Sequence, residues 1–238
     1  MSYISAMKHR TWTWLGQYCW ALPLFEVYRT LTSKNIGVVS KYTDIVIEGY
    51  PRSANTMAVA AFIMVQKEQV RLAHHVHGSA QILWAAKNNI PIIVLIRNPR
   101  DAVASLIVRG YGISIKEALR NYTRFYKSIE PIKSSCVIAQ FDDVVKRFDQ
   151  IIYRVNEKFD TNFTVFIPTK ENMDRCFEAI EEMDKLDQRI DETGDRTVAR
   201  PSMSREILTK NVKNNISAKE VSEYLDEAES IYKNILNS

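Results

Sequence analysis

The sequence predicts an α/β fold of three layers, α/β/α, with a central, mostly parallel sheet. Three observations carry that expectation. The runs "DIVI" (44–47) and "PIIVLIR" (91–97) are continuously aliphatic, without the polar alternation of a half-exposed strand, as in strands buried on both faces. Each is followed within a few residues by a helix-start pattern, and buried strands alternating with helices imply parallel crossovers. At 238 residues and 46% hydrophobic content, the chain suits one sizeable core, so residues 1–238 read as a single domain.

Taken in order, residues 1–40 form an aromatic helical segment packed on that domain. Its centre, "TWTWLGQYCWALPLFEVY" (11–28), is interrupted by Pro23 and Glu26 and is too short and broken to span a bilayer. The favoured reading is a helix packed on the core or lining an acceptor pocket; the less favoured one is an interfacial anchor with tryptophans at the headgroup level. A polar connector leads to the strand "DIVIEGY" and a helix from Asn55 to about Gln66. "VRLAHHVH" is a short strand or strand edge, and "SAQILWAAKNN" a helix with Ser79 as N-cap. After "PIIVLIR", Asn98 caps the next helix, Pro99 takes its first position and Asp101 that of a capping-box acid. "SIKEALRNYTRFYKSI" is a helix, "SCVIAQF" a strand and "DDVVKRFDQIIYRVNEKF" a helix. The remainder is helical apart from the polar loop "DETGDRTVARPSMSRE". The last helix starts at a Ser217–Glu220 capping signal and buries Val221, Leu225, Ala228, Ile231 and Ile235.

Composition removes several classes. Cys19, Cys136 and Cys176 are odd in number and far apart, giving neither a disulfide framework nor a CxxC metal pair, so a reducing, cytoplasmic setting is expected. No secretory leader pattern is present. A net charge of +4 fits an enzyme for an anionic substrate better than a nucleic-acid binder, whose basic residues would form a denser stripe.

In such folds ligands bind beyond the carboxyl ends of the strands, which puts "YPRSANT", "HHVH" and "RNPRD" on one rim. In the first of these, a helix N-terminus, Ser53, Asn55, Thr56 and the fork of Arg52 offer donors to an oxyanion. That turn alone does not separate an anion site from an ordinary N-cap. The second strand tip does more: Arg97 stands where a nucleoside triphosphatase places an acid for magnesium, repelling a metal and attracting a further phosphate, with Ser105 two helical turns on.

These residues carry a resemblance. "YPRSANT" resembles the YPKSGTT-type phosphosulfate loop of the sulfotransferases that use 3′-phosphoadenosine 5′-phosphosulfate (PAPS), and "RNPRDAVAS" resembles their second loop. The resemblance implies the P-loop NTPase-like sulfotransferase fold and PAPS as co-substrate, with PAP as product and no metal. It further implies that Arg52, Ser53, Ala54, Asn55 and Thr56 surround the phosphosulfate while Arg97 and Ser105 hold the 3′-phosphate. Two positions depart from the pattern. Arg52 replaces a lysine and cannot surrender a proton, and Ala54 replaces a glycine in what is expected to be a helical φ/ψ.

Three of the four histidines lie in "AHHVHGSAQ", between the two loops, where the family carries its general base. His77 is the first choice for that role, His75 the second and His74 the third. Zinc chelation by His75 and His77 from one strand face, and a purely structural role, are the rival readings. The family's basic C-terminal loop is missing; Arg200, Ser202 and Arg205 are candidates to replace it as phosphate or adenine contacts, and a solvated basic loop explains them equally. Phe141 in "QFDD" is placed to pack near the adenine. The expected function is sulfuryl transfer from PAPS to a hydroxyl or amine of a small-molecule, lipid or glycan acceptor, without nucleic acid. Its rivals are a non-catalytic PAPS or PAP binder of the same fold and, less favoured, a P-loop-like small-molecule kinase, for which no GK[ST] turn is visible.

Overall fold

The computed structural model describes residues 3–32, 34–186, 203–216 and 219–237. Among these, four strands form one sheet in the order β2-β1-β3-β4: β1 (Ile45–Gly49), β2 (Leu72–His74), β3 (Ile92–Ile96) and β4 (Val137–Gln140). All three pairings are parallel, and an isolated antiparallel bridge from Gly37 to His74 extends the β2 edge.

The helices, in chain order, are α1 (Tyr3–Leu15), α2 (Leu22–Thr32), α3 (Asn55–Val65), α4 (Ser79–Lys87), α5 (Pro99–Arg109), α6 (Ile115–Ile129), α7 (Phe141–Lys146), α8 (Phe148–Phe159), α9 (Lys170–Leu186), α10 (Met203–Ile216) and α11 (Ser222–Leu236). Successive strand side chains point to opposite faces, so each aliphatic run feeds two cores. Val46, Ile92, Val94, Ile96 and Ile138 pack with α4, α5, α6 and α11, whereas Ile45, Ile47, Ile93, Leu95, Val137 and Ala139 pack with α3, α7, α8 and α9. This two-sided burial is the physical reason the strands lack polar alternation, and it gives the three layers.

The local signals mostly operate as expected. Asn98 accepts the Arg100 N–H at 3.0 Å with Pro99 opening α5, and Ser114 accepts from Glu117 N at the start of α6. Asp101, however, pairs with Lys213 of α10. Three expectations need correction. Gly78, in extended conformation, occupies the N-cap of α4, and Ser79 is its first helical residue. The helix expected over 142–159 is divided at Arg147, whose φ of −145° and ψ of 41° separate α7 from α8. The aromatic N-terminal stretch forms parts of two helices joined by a 3-10 turn over Cys19–Ala21. Ser217 lies outside the described residues, while Leu225, Ala228, Ile231 and Ile235 are buried along α11.

The end of α1 is tied to the β2–α4 turn and to the start of α4. Gly16 O accepts the Ala80 N–H at 3.0 Å, and the Trp12 indole donates to Val76 O at 2.8 Å. A β-carbon on Gly78 would lie 2.2 Å from Gly16 O, so only glycine permits this approach. Gly78→Ala is therefore expected to shift α1 and to lower stability by about 1–3 kcal/mol, read from urea unfolding midpoints.

Candidate functional site

β1 connects outward to β2 on one side, and the chain then passes to β3 on the other, so the crevice at the carboxyl ends of β1 and β3 is the switch point of the sheet. The turn Tyr50–Ala54 leaves β1 there and enters α3; Arg97 and Asn98 leave β3 and enter α5. Two tyrosines of α6 reach the end of β3, and Tyr50, just after β1, reaches the backbone of α6. The Tyr126 hydroxyl donates to Leu95 O and that of Tyr122 to Arg97 O, each at 2.7 Å, while Tyr50 OH donates to Ala118 O at 2.9 Å. These bonds give the buried phenolic hydroxyls partners and tie α6 to the ends of β1 and β3.

The two turns meet. Arg52 Nε donates to Ser105 Oγ at 2.9 Å, and Arg97 Nη1 donates to Arg52 O at 3.1 Å. The Arg97 guanidinium also lies over the Phe141 ring, 3.9 Å from its centroid. Arg52, Arg97 and Ser105 thus form one cationic cluster at the switch point. Ser53, Ala54, Asn55 and Thr56 continue the turn into the first residues of α3, whose N–H groups are oriented for an anion. Asn55 Nδ2 donates to Tyr50 O at 3.1 Å, but its buried Oδ1, like the buried Ser79 Oγ at the start of α4, has no hydrogen-bond partner. Unsatisfied buried polar atoms are costly and suit a site completed by a polar guest.

Backbone strain is concentrated in the same place. Arg52 and Ala54 have φ of 72° and 70°, and His75 and His77 have φ of 61° and 55°. Ala54 is therefore left-handed rather than helical, as the sequence suggested, and it holds the conformation that a glycine adopts without a β-carbon penalty. The histidines are likewise not on a strand: β2 ends at His74, and His75 and His77 project from a turn, so they do not share a strand face. Among the described residues, no group of histidine, cysteine and acidic side chains is arranged to hold a metal ion.

Each histidine has a separate setting. His74 is buried, which pushes its pKa down to about 4, and its Nδ1 lies 2.7 Å from His75 Nδ1. His75 Nε2 lies 3.2 Å from Thr56 Oγ1, tying this turn to α3. His77 Nδ1 lies 3.0 Å from Gly49 O and 3.5 Å from Glu48 Oε1. A carbonyl can only accept, so Nδ1 carries the proton and the lone pair resides on Nε2. His77 lines a cleft with His9 and Thr13 of α1, Gln17 of the turn after it, Tyr50 and Pro51 of the turn after β1, Ser79 of α4, and Asn121 and Arg124 of α6.

Glu48, which carries no motif signal, organises this region. Its carboxylate is fully buried and accepts from Val76 N and Gln81 Nε2, both at 3.0 Å, and from Gly49 N at 3.2 Å. Burial pushes its pKa up to about 7, against the pull of those donors. The single signal in the sequence is an acid inside a buried strand beside a histidine-rich turn. Of the remaining candidates, Arg200 and Ser202 lie outside the described residues, and Arg205 falls within α10, whose Lys213 pairs with Asp101 of α5.

No family model matches the chain, and no curated protein sequence matches it. Among solved structures, the chain is similar to a mouse sulfotransferase, SULT7A1, solved in complex with PAP. The two are 10% identical, with 88% of this chain and 89% of that one covered at a TM-score of 0.44.

The raised pKa of Glu48 has a defined effect on stability. Between its ordinary value of 4.5 and about 7, the folded state binds more protons than the unfolded state, so stability falls as pH rises through that window. His74, lowered from 6.5 to about 4, acts in the opposite sense, gaining stability as pH rises between those values. Comparing Glu48→Gln with the parent chain isolates the first effect. The variant should gain about 3 kcal/mol relative to the parent between pH 4.5 and pH 7, measured by urea unfolding across that range.

Proposed function

We propose that the protein transfers a sulfuryl group from PAPS to a hydroxyl or amine of an acceptor held in the cleft beside His77. The observation that carries this reading is the convergence of Arg52, Arg97 and Ser105 at the switch point, next to a histidine whose Nδ1 faces Gly49 O. A guest with phosphate at two separated positions suits two adjoining anion-binding turns better than one phosphate does. The partnerless Asn55 Oδ1 and Ser79 Oγ fit a guest with hydroxyl and amide groups.

The donor supplies an activated sulfuryl group on a phosphate leaving group. Of the chain's own residues, Arg97 and Ser105 hold the 3′-phosphate, and the N-terminus of α3 with Ser53, Asn55 and Thr56 receives the 5′ end. Arg52 stabilises negative charge by hydrogen bonding and cannot act as an acid. His77 Nε2 takes the acceptor's proton, and the resulting imidazolium is stabilised by Gly49 O and the Glu48 carboxylate. Glu48 acts through His77 and is a positioning residue. His75, engaged with Thr56 and His74, is less suited to the base role, and His74 is buried.

One observation favours the second reading, a PAPS or PAP binder without turnover: the Arg52 guanidinium is turned toward Ser105, on the side of the second loop. The two readings separate experimentally. PAP binding is followed by calorimetry, and transfer by incubation of the chain with labelled PAPS and a panel of alcohols and amines, including lipid and glycan acceptors. Arg97→Ala is expected to weaken PAP binding by about 1.5–3 kcal/mol. His77→Ala should leave PAP binding intact and lower turnover by about a hundredfold or more. PAP binding by the parent chain without transfer to any acceptor favours the binder, and no PAP binding at all removes both readings.

A further inference from the structure

The N-terminal helices carry a surface that the nucleotide site does not use. On α2, Leu22 and Phe25 are buried, but Leu24, Val27, Tyr28 and Leu31 recur at i, i+3, i+4 and i+7 on a second face and are exposed, Leu31 at 78%. A helix in contact with protein on one side only has no reason to repeat apolar residues on the other. At the end of α1 and in the turn that follows, Trp14, Tyr18 and Trp20 form an exposed ring cluster: the Trp14 and Trp20 centroids lie 6.2 Å apart and those of Tyr18 and Trp20 5.8 Å. Trp12, which stacks edge-on against both Phe25 and Tyr28, joins α1 to this face of α2.

Charge identifies the occupant. Over residues 3–44 the chain has Lys8, Arg10, Arg29, Lys34 and Lys41 against two acids, Glu26 and Asp44; Arg29 is paired with Glu26 inside α2, and Arg10 with Glu117 of α6. The excess is positive, and the exposed rings are of the indole and phenol type, apolar with a polar tip. That combination matches the interface of an anionic bilayer, where such rings sit at headgroup level and basic residues meet acidic lipids. No helix among the described residues is long and apolar enough to cross a membrane, so the contact is one of lying on the surface.

We infer that the exposed face of α1 and α2 docks on an anionic lipid surface. The cleft beside His77 is walled by another face of the same α1, through His9 and Thr13, and by Gln17 just beyond it, so docking holds that cleft close to the lipid plane. The inference is independent of sulfuryl transfer, and PAP binding read in parallel distinguishes failure of one from failure of the other.

The test is co-sedimentation of the full chain with vesicles of phosphatidylcholine alone and of phosphatidylcholine with phosphatidylserine at about 3:1. Binding to the mixed vesicles should be at least about tenfold stronger. Leu24→Ser/Val27→Ser/Leu31→Ser should reduce it by about tenfold or more, and Lys8→Glu/Lys34→Glu/Lys41→Glu should bring it toward the level of the neutral vesicles, with PAP binding unchanged in both. Brominated lipids need no substitution: they should quench part of the tryptophan emission, from Trp14 and Trp20. Failure to sediment with either vesicle, no quenching, or a triple serine change that only dissolves a dimer would overturn the proposal.

Discussion

One buried carboxylate organises the candidate site. Glu48 stands inside the sheet at the end of β1, and the groups that satisfy it all lie around the crevice: the Gly49 amide before the Tyr50–Ala54 turn, the Val76 amide between two histidines, and the Gln81 side chain on α4. Gln81 in turn accepts the Val39 N–H. A charge taken out of water must be surrounded by donors, and this need draws the histidine turn, α4 and the connector before β1 onto a single point. The ring of His77 and the Tyr50–Ala54 turn therefore hold a defined distance because both are attached to the same strand end.

Strain and satisfaction are distributed unevenly around that point. Four non-glycine residues with positive φ cluster in the two turns that face the crevice, while α6 behind them is a regular helix. The tyrosines of α6 supply rigidity from behind, bonding the carbonyls of Leu95 in β3 and of Arg97 just after it. Unusual backbone at a ligand-facing turn is sustained when its surroundings over-determine it, and here the surroundings are two hydrophobic cores and a tyrosine-rich helix.

Much of the fold was legible because burial on both faces removes polar alternation from a strand, so "DIVI" and "PIIVLIR" could be recognised without any partner. The Asn98–Pro99 start was legible because capping is local. Ser79 was misplaced by one position, since a glycine forced by contact with Gly16 took the cap, and that contact links residues distant in sequence. The same limit applies to His75 and His77. Their residue type pointed to chemistry, but their departure from strand geometry depends on Glu48 and Gly49 from another strand. Arg52, Arg97 and Ser105 were recognisable as a set from order and spacing, whereas Glu48 was not, because an acid within an aliphatic run has no motif and acquires meaning only from the donors around it.

The bond from Arg97 to the carbonyl of Arg52 has a consequence beyond recognition. An arginine braced against a neighbouring turn and over the Phe141 ring has already surrendered much of its rotational freedom during folding. Ordering it again when a guest arrives would cost little entropy, so contact with an anion is rewarded nearly in full. The two turns also move as one clasp, because shifting one displaces the brace that steadies the other. A molecule bearing charge at both ends would then gain more than two separate anions could, through geometry set before it enters.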